Sequence, residues 1–299
     1  MKNRVEYLLF QFILLIVRII PAKAIPVIGR RFGMALFYLG VRRKVVQKNL
    51  KIAFGSELTD ETEKQLSKQI YRNSGTVLFE ILLMKYISPE NLGTHIQLEG
   101  LDILHEAIAE GKGVVIAGNH FGNWELISAA ISTQGSPIYM YAGKQRNNLF
   151  DRVLNEIRQR FGTVTISKSK TATIEMMKVL KSKKVLGMAG DLNVPHNTLF
   201  VDFFGVPAAV GRGLVSFVLS RKTPLIFIWC IRTGPLQHKG FLSRIPYRLT
   251  GDKAVDLVTI SQTLVHALEE KIREYPDQYF WFNKRWKTRP EHEKGPDIY

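Results

Sequence analysis

Gly113-Val-Val-Ile-Ala-Gly118-Asn-His120-Phe-Gly122-Asn-Trp-Glu125 is the stretch whose reading decides the fold. Its first half is an apolar run bounded by glycines, the pattern of a short buried strand. Leu126 to Gln134 behind it reads as the body of a helix. A strand running into a helix is the unit of parallel sheets with helical crossovers. His120 then falls on the strand-to-helix turn, where Gly118 and Gly122 permit a tight bend and close backbone approach.

The spacing of His120 and Glu125 carries chemistry only in that setting. On a regular helix of about 3.6 residues per turn, residues five apart lie about 140° apart around the axis and cannot meet. With His120 just outside the helix and Glu125 in its second turn, the carboxylate can reach back to one imidazole nitrogen. The other nitrogen then points into a cleft, which is a general base with an orienting acid. Taken alone, a histidine near a strand end is more often a capping or packing residue. Here, the amides of Gly122, Asn123 and Trp124 at a helix start would also favour a phosphate or a developing oxyanion.

Outward from this turn, strands are predicted at Ile138 to Tyr141, Val164 to Ile166, Val185 to Met188 and Leu225 to Ile231. Helices are predicted at Leu101 to Ala109, Asn148 to Arg160, Ala172 to Lys181, Arg212 to Ser220 and Val255 to Tyr275, the last stopped by Pro276. Thr59-Asp60-Glu-Thr-Glu63 reads as the start of a further helix, with apolar spacing from Leu66 to Leu82. The alternation predicts an α/β fold, a single largely parallel sheet flanked by helices. No linker or internal repeat divides the chain, so residues 46–299 are taken as one α/β domain behind a helical segment at 1–45. Ligands of such sheets bind beyond the carboxyl ends of the strands. His120, Lys144 and Asp191 each follow a predicted strand and become candidates, although Asp191 is equally well a solvated turn residue. Arg212, between Gly211 and Gly213, is either a phosphate ligand or an exposed surface arginine.

The chain has 42 Lys and Arg against 26 Asp and Glu, a formal net charge of +16, which favours anionic partners. Nucleic acid is not expected, because no aromatic-rich strand signature, zinc-finger spacing or basic helix with heptads is present. The only cysteine, Cys230, lies in the apolar run Pro224 to Ile231 and reads as a buried structural thiol. No G-x-S-x-G elbow argues for a serine hydrolase of that fold, and no H-x-x-x-H or paired-cysteine spacing indicates a metal, so no cofactor is expected.

Met1 to Ala24 imitates a secretory signal peptide, with Lys2 and Arg4, an apolar run and Ala22-Lys-Ala24. Against that reading, Arg18 interrupts the run and hydrophobic character resumes from Ile25 to Val41. Tyr7 to Ile20 as a helix is about 21 Å long at about 1.5 Å per residue, short of the bilayer's roughly 30 Å hydrocarbon core. Pro21 and Pro26 separate it from the next helix. A monotopic helix or re-entrant pair in the membrane surface is therefore expected, with the cations that follow it keeping the catalytic body cytoplasmic. Trp281, Lys284, Arg285, Trp286, Lys287 and Arg289 interleave aromatics with cations, a composition that suits a bilayer interface or anionic headgroup.

Gly118 to Glu125 resembles the H-x4-D/E block of the lysophospholipid acyltransferase superfamily, and more narrowly the lipid A biosynthesis acyltransferases. Three other stretches carry the resemblance in the same order: Arg42 to Phe54 with Phe79-Glu80, Gly190 to Pro195 with Leu199 to Ala208, and Pro276 to Pro290. The resemblance implies direct O-acyl transfer from a thioester, that of acyl carrier protein or else acyl-CoA, to a hydroxyl of a lipid A precursor, an anionic lipid, at the inner membrane. In it, His120 is the base, Glu125 its partner, and Arg285 a signature residue. The family's arginine-proline pair is replaced by Gly143-Lys144, so Lys144 or Arg146 would supply the missing charge. The loop after Asp191 lacks the family's usual glutamine or histidine, which leaves substrate choice open. A glycerophospholipid or other glycolipid acyltransferase with the same His and Glu is an alternative, as is a non-catalytic membrane-binding protein.

Overall fold

The computed structural model describes residues 2–145, 147–291 and 298–299, and of residues 2–9 the backbone alone. Four helices come first: α1 (Lys2–Ile19), α2 (Ile25–Tyr38), α3 (Arg43–Phe54) and the long α4 (Asp60–Met84). Strands and helices then alternate through β1 (Ile96–Glu99), α5 (Leu101–Ala109), β2 (Val114–Gly118), α6 (Trp124–Thr133), β3 (Ile138–Ala142) and α7 (Asn148–Arg160). They continue through β4 (Val164–Ser167), α8 (Ala172–Lys181) and β5 (Val185–Ala189) to a hairpin of β6 (Thr198–Phe203) and β7 (Val206–Gly211). The last elements are α9 (Gly213–Arg221), β8 (Leu225–Gly234), β9 (Gln237–Arg244) and α10 (Lys253–Glu274).

The predicted α/β architecture is present. Seven strands form one sheet in the order β1-β9-β8-β2-β5-β3-β4, in which every neighbouring pair is parallel except β8 with β9. The apolar run of β2 is explained by burial on both sides. Val115 and Ala117 pack with residues of α8, α9 and α10, while Val114 and Ile116 pack with residues of α5, α6 and α7. A parallel sheet covered on both faces requires such runs.

The sequence reading assigned no strand at β1, β6, β7 or β9. In β9, His238, Gly240 and Leu242 face inward between half-exposed or exposed neighbours, so polar residues hide its two-residue period.

The N-terminal helices are fastened to the body by close backbone contact. A Cβ on Gly33 of α2 would stand 1.9 Å from the Tyr71 carbonyl oxygen, and one on Gly75 of α4 would stand 2.3 Å from the Gly29 oxygen. α1 buries Leu14 and Val17, while Phe12, Leu15 and Ile19 remain exposed. Among the described residues no single helix is long and apolar enough to cross a membrane. Ala22–Tyr38 and Arg43–Glu57 meet that test only as a pair bent by 93°.

Candidate active site

Strand register builds the site. β2 and β5 run parallel with Gly118 opposite Ala189, and the Gly190 amide donates to the Gly118 carbonyl at 2.9 Å. Two residues further on, the chains deliver His120 and Asp191 side by side. The His120 amide donates to Asp191 Oδ2 at 2.9 Å, and Nδ1 lies 3.0 Å from Oδ1 and 3.1 Å from Oδ2. An ionised carboxylate only accepts, so Nδ1 carries the proton and Nε2 presents a lone pair.

Asp191, then, occupies the place that the sequence reading gave to Glu125. The helix starts at Trp124, so Glu125 sits in the first turn of α6 rather than the second, and its carboxylate is taken by Arg158 of α7. Arg158 Nε donates to Oε2 at 2.9 Å and Nη2 to Oε1 at 2.6 Å, a bidentate buried pair. Glu125 still acts on His120 through space. Burial alone pushes the imidazole pKa down, but Asp191 first, and Glu125 after it, hold it above its ordinary value. Asp191 is lowered despite its own burial, chiefly by His120 and more weakly by Arg285.

His120 keeps a quarter of its side-chain surface open, 25%, and lies where two cavities meet. The first, of about 300 Å³, runs between the sheet and α6. Its rim includes Lys144 and Gln145, and Ile116, Ile127, Ile138, Gly187 and Ile228 lie along its depth. The second, of about 620 Å³, lies between α2, α4 and α7 and is walled by Leu36, Val77, Leu78, Ile81, Phe150 and Phe282 among others. His120, Trp124, Glu125, Gln145, Arg158 and Leu192 belong to both walls.

Several expected ligand-binding groups have other employment. The Gly122 amide donates to the Gln278 carbonyl at 2.9 Å, and Gly122 takes a φ of +54° in a space where a Cβ would meet the Cys230 oxygen at 1.9 Å. Asn123 caps α6, accepting from the Leu126 amide at 3.1 Å and donating to Glu80 at 3.3 Å, and its own amide faces the Cys230 sulfur. Those two amides are therefore not free for an oxyanion. Arg212 is exposed and donates to the Thr198 carbonyl at 3.1 Å, away from both cavities. Arg146 lies outside the described residues. Cys230 is fully buried and burial pushes its thiol up to about 12, so it is an inert core residue.

Behind the turn, buried Glu80 of α4 receives Arg232 Nη2 at 2.7 Å and Nε at 3.1 Å, with His238 Nε2 3.2 Å away. Burial would raise its pKa, but these partners bring it down to about 2. A permanent anion thus fixes the Asn123 cap from below.

A family model for bacterial lipid A biosynthesis acyltransferases matches residues 3–288. The chain belongs to that family. It is 25% identical over 274 residues to a lipid A biosynthesis palmitoleoyltransferase of Escherichia coli (strain K12), covering 91% of this chain and 87% of the relative. A lipid A biosynthesis lauroyltransferase of the same organism is 25% identical over 279 residues, 91% and 88% of the two chains. A lipid A biosynthesis acyltransferase of Haemophilus influenzae (strain ATCC 51907 / DSM 11121 / KW20 / Rd) is 23% identical over 295 residues, 96% and 88%. The chain is accordingly an acyltransferase.

In this acyltransferase the distant sequence blocks converge on the turn that carries His120. The Phe280 amide donates to the His120 carbonyl at 2.9 Å, Phe121 pairs with Tyr279 in an antiparallel bridge, and Phe280 stands beside the imidazole. Asn193 and Thr288 exchange two hydrogen bonds of 3.0 Å, tying the acidic loop to the same segment. Asn49 of α3 donates to the carbonyls of Trp281 and Asn283, each at 2.7 Å. The expected interfacial role of the C-terminal cluster is corrected by this packing. Trp281, Arg285 and Trp286 are at most 2% exposed, and Arg285 donates to the Ala209 carbonyl at 2.6 Å. Arg285 faces the protein interior near Asp191 and lines neither cavity. Arg158 is the site residue that sequence reasoning missed, because an arginine on an amphipathic helix carries no motif.

Proposed function

We propose that this acyltransferase moves a fatty acyl group from a thioester, that of acyl carrier protein or coenzyme A, to a hydroxyl of a lipid A precursor at the cytoplasmic face of the inner membrane. The observation that carries this reading is an oriented imidazole at the junction of two largely apolar cavities. The names of its relatives supply the acceptor class.

His120 Nε2 takes the proton of the acceptor hydroxyl as its oxygen attacks the thioester carbonyl carbon. Asp191 fixes the tautomer and stabilises the imidazolium, the part a triad carboxylate plays. The new C–O bond forms, the C–S bond breaks, and the thiolate leaves with the proton returned from the imidazolium. No covalent enzyme intermediate is needed. Arg158, Lys144 and the positive end of α6 are the groups available to meet charge developing on the carbonyl oxygen. The slot beneath α6 is the place for the donor's acyl chain, being narrow, deep and apolar. The exposed apolar residues of α1 and α2, interspersed with Arg18, Arg30 and Arg31, would rest on the membrane.

The test is acyl transfer by the purified chain from acyl carrier protein and coenzyme A donors, with a lipid A precursor and a lysophospholipid as acceptors. Transfer to the lipid A precursor is expected, and His120→Ala should abolish it with the melting temperature retained. Near-wild-type turnover by His120→Ala would end the mechanism, and transfer to the lysophospholipid alone would change the acceptor.

A further inference from the structure

Resting on that reading, we infer that the larger cavity is an acceptor subsite, in which one hydrocarbon chain of the lipid acceptor lies between α2, α4 and α7 with its hydroxyl at His120. The two cavities differ in what they can take. The slot beneath α6 is lined at depth by Ile116, Ile127, Ile138 and Ile228, all at most 5% exposed, so it is enclosed by core residues and fits one linear chain. The larger cavity also begins at His120, but its far wall includes Val41, which is 42% exposed and adjoins Leu39 at 77%. Its outer end therefore reaches the apolar turn after α2, where a chain could pass in from a lipid surface without crossing water.

The lining fits hydrocarbon better than a sugar or a peptide. Leu36, Val77, Leu78, Ile81 and Phe150 offer no hydrogen bonds, and a polar acceptor placed there would lose its hydration without replacement. Besides the groups shared with the slot, the polar residues of this wall are Arg42, Tyr71, Ser74 and Asn283. Arg42, in the turn after α2, donates through Nη1 to the Phe282 carbonyl at 2.7 Å, and its charge suits an anionic head beside that opening. Filling the cavity with a chain removes apolar surface from water, which favours binding. Both substrates are then held by their hydrocarbon, and the reacting atoms meet at the imidazole that the two walls share.

The experiment compares a lipid A precursor with a short-chain analogue of it, using dodecanoyl and hexadecanoyl acyl carrier protein as donors. Leu78→Trp, from the α4 wall, and Leu36→Trp, from the α2 wall, should each raise KM for the long-chain acceptor by about tenfold or more. They should leave the short-chain acceptor and the donor preference unchanged. Gly187→Ala, whose Cβ would come within 2.7 Å of Ile138 Cγ2, should do the reverse, shifting donor preference toward dodecanoyl without altering the acceptor KM. As a check on the unaltered protein, a photoreactive group on the acceptor chain should label the α2 and α4 peptides, and one on the donor chain the β3 and β8 peptides. Equal penalties on both acceptors, exchanged effects of the two kinds of variant, or exchanged labelling would overturn the subsite. Transfer by the wild type to neither acceptor would overturn the parent reading and the subsite with it.

Discussion

At the scale of single residues, the strongest consequence follows from the pair His120 and Asp191. In the proposed role of general base His120 must be neutral to accept a proton, and here the Asp191 carboxylate holds the imidazole pKa above its ordinary value. The rate should therefore rise with pH through a midpoint above the usual imidazole range. Asp191→Asn removes the charge that favours the imidazolium, so the acidic limb should move to lower pH. The maximal rate should fall by roughly 10²-fold or more, since the tautomer is no longer fixed. A pH-rate profile of the variant with an unmoved limb would refute Asp191 as the partner. The raised pKa also means that the pair adds stability below the unfolded imidazole pKa and loses it as pH climbs through the folded one. His120 was legible in the sequence because a strand-turn-helix pattern is local. The identity of its acid was not, because Glu125 is close in sequence whereas Asp191 arrives by pairing of β2 with β5, which only the sheet order decides. The same non-local logic hid Arg158, whose partner is on another helix.

At the scale of elements, the helix boundaries at α5, α7 and α8 coincide with those expected from periodicity, because apolar spacing, caps and glycines agree there. Asn147 accepts from the amides of Leu149 and Phe150, and Asp252 from those of Ala254 and Val255, which fixes where α7 and α10 begin. Of the strands that escaped notice, β1 is only four residues long and β9 carries a polar residue, His238, on its inward face. The contact of α2 with α4 was also missed, though Gly29 and Gly33 stand one helical turn apart and face Gly75. Gly33→Ala would drive a methyl into the Tyr71 carbonyl and force the helices apart, at a cost of about 1–3 kcal/mol. Thermal unfolding should register that loss, and since α2 and α4 also wall the larger cavity, acceptor KM should rise with it. An unchanged melting temperature would contradict the packing.

At the scale of the whole molecule, the expected division of labour is partly redrawn. Of the C-terminal aromatic and cationic cluster, Trp281, Arg285 and Trp286 turn inward, while Lys284 and Lys287 remain exposed. Composition cannot distinguish an interfacial tryptophan from one buried under a loop, because both sit beside cations. If the chain meets a lipid surface as proposed, the exposed apolar side chains of α1, α2 and the following turn are the ones it offers: Phe12, Leu15, Ile19, Val27, Tyr38, Leu39 and Val41. Vesicles containing anionic lipid should bind the purified chain, and binding should weaken with added salt, since each surface cation contributes about 1 kcal/mol near such a membrane. Leu39→Glu should weaken binding by about tenfold, from the lost burial of one leucine side chain. Sedimentation with vesicles reads both effects, and indifference to that substitution would place the contact elsewhere.

The strap formed by Gln278, Phe280 and Thr288 closes over the turn that carries His120 and over the loop that carries Asp191. A ribosome makes these residues long after it has made His120, so the turn gains these bonds only once all of β1 to β9 have been translated. A chain broken off between α10 and this strap would hold every strand from β1 to β9 yet lack the hydrogen bonds that seat His120 and Asp191, and its transfer activity should be lost.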